Sequence, residues 1–216
     1  MERLEQPRLR VGLWGWSQGA WAAALAASQS SRVDGLVLLA ATGVSPAEQM
    51  RYGTAEHLRR EGYGRQAIRD LTRLRDAYER YLRKTLDRRT AQRLVDQLSS
   101  CPWFRLAWVP RHLSAGRWPD MDFDPGPVFA RVRVPVLLFY GETDEWSPIE
   151  KSVRVWHRAA RRLGNRAITI VRLPGTSHAP TIGGRHSSRA ISPLYHRTLD
   201  AWLGSWLVRP RGPPAP

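Results

Sequence analysis

Gly15-Trp16-Ser17-Gln18-Gly19 lies between an apolar run and an alanine-rich one. Val11, Leu13 and Trp14 read as the end of a buried strand, and Ala20 to Ala27 as a helix of small residues able to lie close against a sheet. A serine on the sharp turn between such elements has its hydroxyl lifted clear of the sheet, at the positive end of a helix. The glycines answer a steric need: the turn brings backbone close to backbone on both sides of Ser17, so a Cβ at position 15 or 19 is expected to clash. In this strand–turn–helix setting the pentapeptide predicts an α/β fold with Ser17 as a nucleophile. The plainer alternative is an ordinary turn between strand and helix.

Downstream, Leu36 to Ala40 reads as a second buried strand, and Ser45-Pro46 opens a different region with proline suited to a first helical position. From about residue 45 to 125 the chain is helical, charged and aromatic. Ile68, Leu71, Leu74, Tyr78 and Tyr81 recur at spacings of three and four, which predicts one amphipathic helix. Thr90 is the expected cap of a shorter helix carrying Leu94, Val95 and Leu98. Trp103, Phe104, Trp108 and Trp118 follow in a loop-rich stretch. This region interrupts the α/β pattern and reads as a cap inserted between two strands.

The pattern resumes with Val134 to Tyr140, an apolar run of the kind that fills an interior parallel strand, ending in Gly141-Glu142-Thr143-Asp144. Ser147-Pro148-Ile149-Glu150 predicts a capped helix start, with Ile149, Val153, Trp156, Ala160 and Leu163 as its buried stripe and Gly164 as its stop. Ile168 to Leu173 is the next strand and runs into Pro174-Gly175-Thr176-Ser177-His178. Ser192-Pro193 starts a last helix with Tyr195, Leu199, Trp202 and Trp206 on one face. The expected division is therefore a core of residues 1–44 and 126–208, a helical cap of 45–125, and a proline-rich tail, 209–216, without core residues and predicted to be disordered.

Composition narrows the classes. A chain of 216 residues can bury a core without staples. The single cysteine, Cys101, excludes an internal disulfide framework and reads as a small apolar residue beside Trp103 and Phe104. No run is long enough to span a membrane, and Glu2 and Glu5 interrupt any apolar leader, so a cytoplasmic protein is expected. The formal net charge is +15, yet only Lys84 and Lys151 of the 34 basic residues are lysine. The arginines scatter through Arg59-Arg60, Arg88-Arg89 and Arg161-Arg162 rather than cluster, which reads as a solvated surface with no specific nucleic-acid partner.

In an open parallel sheet, function collects at the carboxyl ends of the strands. Ser17, Asp144 and His178 each follow a predicted strand within a few residues. Serine at its free pKa is a poor nucleophile and needs a base; histidine titrates near neutrality; a carboxylate holds the imidazole in the right tautomer and stabilises it once protonated. His186, in a glycine-flanked loop, is the rival base, and Glu142 the rival acid. His57, His112, His157 and His196 read as solvated. Asp120, Asp122 and Asp124 lack the glycine and distal glutamate of a calcium loop and are framed by prolines, so neither metal nor cofactor is expected. The ten tryptophans read mostly as packing, with Trp16 and Trp146 able to line a pocket.

The order Ser…Asp…His, with Gly15-Trp16-Ser17-Gln18-Gly19, the run Pro135 to Asp144, and Pro174-Gly175-Thr176-Ser177-His178, closely resembles the α/β-hydrolase superfamily. Val44-Ser45-Pro46-Ala47-Glu48-Gln49 is similar to the prolyl-oligopeptidase and acyl-esterase branches of its bacterial serine hydrolases. The resemblance implies an α/β fold in which a parallel sheet is flanked by helices and the helical insertion is the family's cap. It implies hydrolysis of an ester, thioester or peptide bond in a small-molecule or peptide acyl substrate, through an acyl-enzyme on Ser17. His178 would be base and then acid, Asp144 its orienter, and the Gln18 N–H an oxyanion donor.

The family also places several strands and two helices before the serine turn, where this chain has ten residues. An N-terminally truncated fold is therefore expected, with a second oxyanion donor missing and self-association through an exposed first strand. A catalytically weak or silent fold used for binding or assembly, and an arginine-rich nucleic-acid binder, stand as alternatives.

Overall fold

The computed structural model describes residues 9–184 and 187–208. His186 and the tail 209–216, on which expectations were placed, lie outside the described residues. The chain divides into two compact units. One takes in the described residues up to Gly43, Pro125–Asp144 and those from Ile149 on; the other is Val44–Asp124 with Glu145–Pro148.

The first unit is a four-stranded parallel sheet in the order β1-β2-β3-β4, formed by Gly12–Trp16, Gly35–Leu39, Val136–Gly141 and Ile168–Leu173. Every residue of β2 and β3 is buried, as expected for interior strands covered on both faces. Val37, Leu39, Leu137, Phe139 and Leu173 make one face of the core with Tyr195 of the last helix, α7 (Pro193–Val208). Helix α1 (Gln18–Gln29) buries Ala20 and Ala24 completely, the small side chains that let a helix lie close to a sheet. Between β2 and β3 this unit also holds a short helix α5 (Gly126–Phe129), whose Phe129 stacks on Trp156 of α6 (Ile149–Leu163) with ring centres 3.9 Å apart.

Two expectations are corrected here. Val11, Leu13 and Trp14 are not in a buried strand: β1 is an edge strand, so Val11 and Trp14 are exposed and Leu13 is half-buried. The buried face of α6 is Ser152, Val155, Trp156 and Ala159, one position away from most of the expected stripe, whose Ile149, Val153, Ala160 and Leu163 are only half-buried. Gly164 does end that helix, at φ 65°. The tryptophans mostly pack, as expected: Trp21, Trp103, Trp156 and Trp206 are buried and Trp118, Trp146 and Trp202 half-buried, while Trp14, Trp16 and Trp108 are exposed.

The second unit is helical: α2 (Pro46–Arg60), α3 (Arg65–Leu82), α4 (Arg88–Leu98) and a 3-10 turn, Pro102–Ala107. Ser45 caps α2, its hydroxyl accepting from Glu48 N–H at 3.3 Å. The cap of α4 is Asp87, whose carboxylate accepts from Thr90 N–H at 2.9 Å; Thr90 lies three residues inside and is not the cap. Leu58, Leu71, Leu74, Val95, Trp103 and Phe104 form the unit's core, with Ile68, Tyr78, Tyr81 and the half-buried Cys101 against it.

Periodicity does not anticipate the ion pair inside that core. Arg75 and Glu79, one turn apart on α3, are both buried and meet at 3.0 Å. Arg75 also donates to the Trp108 carbonyl at 3.2 Å, and Arg51 approaches the other Glu79 oxygen at 3.2 Å. Burial raises the Glu79 carboxyl and lowers the Arg75 guanidinium, each against the pull of its partner.

Candidate active site

Ser17 follows the last residue of β1 and caps α1 with φ 54° and ψ −121°, a conformation that a residue with a Cβ rarely adopts. Such a conformation costs on the order of 1–3 kcal/mol and persists only where its surroundings enforce it. Two features do so. Ser17 N–H donates to Leu39 O at 2.9 Å, which ties the turn to β2, and the turn runs so tightly into α1 that a Cβ on Gly15 would sit 2.5 Å from Gly19 O. Gly19 is different: a Cβ there meets nothing within 4 Å, so the expected clash at that position is not found. The steric demand falls on the strand side only, because Gly19 already lies in the helix with its Cα hydrogens outward.

The loops carrying Asp144 and His178, the candidate acid and base, are brought together by the register of β3 and β4, in which Gly141 pairs with Leu173. Beyond that pair, Glu142 N–H donates to Leu173 O, and Thr143 gives both its N–H (3.0 Å) and its hydroxyl (2.9 Å) to Thr176 O. Gly141 is a glycine because a Cβ there would overlap the Ser177 carbonyl oxygen. The result is a contact between side chains 34 residues apart: His178 Nδ1 lies 3.0 Å from Asp144 Oδ1 and 3.1 Å from Oδ2. The Asp144 side chain is fully buried and that of His178 is 15% exposed, so the carboxylate meets a mostly buried imidazole away from solvent. Glu142, the rival acid, is exposed.

Beneath the acid loop, Tyr140 is fully buried and donates to Ala41 O at 2.7 Å. Burial, and next the charge of Asp144, push its phenol far above the ordinary value, so it stays a neutral donor beside the carboxylate.

Gln18 is the first residue of α1, so its N–H is among those a helix leaves without an intrahelical acceptor. Trp16 donates its indole N–H to the main-chain oxygen of His178 at 2.9 Å, which brings the serine turn and the base loop together. Among the described residues no hydrogen bond joins Ser17 Oγ to the His178 ring. Trp146 belongs to the helical unit. Its indole fills a niche that any Cβ on Gly53 would occupy, 4.8 Å from the His57 ring centre and with Trp108 edge-on at 5.9 Å. His57, expected to be solvated, is thus half-buried against that indole. Asp122 is held by Arg83 at 2.7 Å, and no group of three or more potential metal ligands occurs among the described residues. Nor is any helix among them long and apolar enough to cross a membrane.

Thr143, Thr176 and Tyr140 were not singled out by sequence reasoning. Threonine and tyrosine are common at strand ends, and their partners lie tens of residues away, so no local pattern marks them.

A serine turn, an aspartate loop and a histidine loop along one rim of a parallel sheet describe more than one protein family. The model of the alpha/beta hydrolase family decides among them, matching residues 2–187. The chain belongs to that family. The structure of VinJ agrees on the fold. VinJ shares 15% identity at a TM-score of 0.52, over 91% of this chain and 66% of its own. The Pyrococcus furiosus esterase PF2001 shares 16% at a TM-score of 0.47, over 94% of this chain and 55% of its own. A thermophilic esterase from Thermogutta terrifontis shares 22% at 0.43, over 91% and 65%. This hydrolase-family chain thus spans 55–66% of the length of these three structures. No curated protein sequence matches it.

Proposed function

We propose that this chain is a serine hydrolase that cleaves an ester, thioester or peptide bond of a small-molecule or peptide substrate through an acyl-enzyme on Ser17. The observation that carries the reading is the buried Asp144 carboxylate on His178 Nδ1, at 3.0 and 3.1 Å. That bond keeps Nδ1 protonated and leaves Nε2 as the basic nitrogen, the tautomer a serine nucleophile requires. Ser17 Oγ attacks the substrate carbonyl while its proton passes to Nε2, and the developing oxyanion accepts from Gln18 N–H. Collapse expels the leaving group with that proton, and water repeats the sequence to release the acid. The helical unit acts as the cap. No metal or cofactor takes part in these steps.

A fluorophosphonate probe tests the reading. It should label Ser17 in the wild type, not at all in Ser17→Ala, and far more slowly in His178→Ala. Labelling of Ser17→Ala at the wild-type rate would refute it. A second reading, a silent hydrolase fold used for binding, is favoured by the absence of a hydrogen bond between Ser17 Oγ and the His178 ring. It predicts a folded wild type that never reacts.

A further inference from the structure

His178 stands on a loop that is closed at its base. Gly183 N–H donates to Gly175 O at 3.0 Å, Thr176 and Ile182 form an isolated antiparallel bridge, and Gly175 and Gly183 take up the bends at φ 67° and 66°. The Thr143–Thr176 bonds anchor the same base to the acid loop. His178 itself lies beyond these closures, where a loop is most free to swing. Among the described residues two hydrogen-bonding partners reach it there. One is the Asp144 carboxylate on its ring. The other is Trp16, whose indole N–H donates to the His178 main-chain oxygen at 2.9 Å and whose ring lies 5.8 Å from the imidazole at 42°.

Asp144 alone leaves the imidazole a hinge. A ring held at one nitrogen by a carboxylate keeps that bond while the loop carrying it shifts along the rim, and such a shift changes the distance from Nε2 to Ser17. Trp16 removes this freedom from the other side. It is the residue before Ser17, and the Ser17 N–H is itself fastened to Leu39 O of β2 at 2.9 Å. We propose that Trp16 is a positioning residue for His178: it references the base to the same turn that holds the nucleophile. The inference rests on the roles given to Ser17 and His178 under Proposed function. It also explains why a large, partly apolar side chain sits 43% exposed beside the serine. A wall for substrate needs only a ring face, whereas this contact needs the N–H that tryptophan alone among the large aromatic residues carries on its ring system.

Trp16→Phe keeps an aromatic ring beside the serine and removes the donor. With a p-nitrophenyl ester and the fluorophosphonate, the expected result is a kcat and a Ser17 labelling rate lower by about three- to tenfold, the factor one hydrogen bond carries. KM should stay within about twofold and the melting temperature should be unchanged. A raised KM with kcat intact would make Trp16 a pocket wall and overturn the proposal, as would unchanged kinetics. The imidazole resonances of His178 read the same point without turnover. They should broaden or move in Trp16→Phe at a fixed pH; superimposable wild-type and variant spectra would overturn the proposal. If wild-type Ser17 never reacts, the hydrolase reading falls, while these resonances still decide whether Trp16 holds the loop.

Discussion

Two glycines next to the proposed triad carry opposite demands. At Gly141 a Cβ would overlap the carbonyl oxygen of Ser177, and neither backbone can retreat without pulling the acid and base loops apart. Gly141→Ala should therefore destabilise the chain by about 1–3 kcal/mol, measured by chemical denaturation, and slow Ser17 labelling as well. At Gly19 the same methyl enters open space in a helix, so Gly19→Ala should leave stability unchanged or raise it by about 0.5 kcal/mol. Equal losses in the two variants would contradict this contrast. Tyr140 gives a third check. Removal of its hydroxyl in Tyr140→Phe leaves the buried Ala41 carbonyl without that donor, at a cost of about 1 kcal/mol. The folded phenol titrates above its unfolded value, so its contribution is intact below about pH 10 and is lost as pH rises beyond that. The alkaline loss of stability should be shallower in Tyr140→Phe.

Among the elements, α3 and α4 show where sequence pattern and physical cause part. Apolar spacing on α3 predicts its buried face, yet Arg75 and Glu79 sit in the same interior. Removing one partner strands a buried charge, so Glu79→Leu should cost about 3–5 kcal/mol of the helical unit's stability. Replacing both, in Arg75→Met with Glu79→Leu, should cost less than that single change. A double variant weaker than the single would show that the pair itself stabilises α3. On α4 the cap bond lowers the Asp87 carboxyl through the Thr90 N–H. A depressed carboxyl stabilises above its unfolded pKa and ceases to do so as pH falls through the folded value. Asp87→Ala should thus lower the melting temperature at neutral pH and converge with the wild type in strong acid. Thr90→Ala keeps the backbone donor and loses only the hydroxyl's smaller pull on Asp87, so it should reproduce that convergence only in part.

At the scale of the whole molecule, charge and the sheet edge set the solution behaviour. Strand β1 pairs with β2 alone among the described residues, and Leu9, Val11, Trp14 and Trp16 stand exposed along it. An edge of this kind is a template for another strand. Sedimentation velocity should show concentration-dependent association, opposed at low ionic strength by the net charge of +15 and growing as salt screens it. Leu9→Lys and Val11→Lys should reduce it. A sample that stays monomeric across concentration and salt would count against this use of the edge. The same charge should give weak binding to acidic surfaces such as heparin that salt abolishes, without sequence preference on nucleic acid.

What the sequence determined on its own were the features written in neighbouring residues. The apolar runs Leu36 to Ala40 and Val134 to Tyr140 became β2 and β3 because burial on both faces leaves no polar positions to interrupt them. Gly15 and Ser17 announced a tight turn because backbone crowding is a local matter. Ser17, Asp144 and His178 could be singled out because each follows a strand end in a sheet whose direction the α/β alternation implies. Tertiary structure alone decided the rest. The apolar pattern of Val11, Leu13 and Trp14 reads as buried, and an exposed first strand is expected only from the family resemblance; which of the two holds depends on what neighbours β1. The burial of Arg75 and Glu79 depends on charges that can neutralise each other in the interior, whereas hydrophobic periodicity counts both as surface. The approach of His178 to Asp144 at 3.0 Å, and of the Trp16 indole to the His178 carbonyl, follows from a β3–β4 register and a glycine that admits one loop against another. Contacts between residues 34 and 162 apart are set by how strands align, and alignment is a property of the assembled sheet.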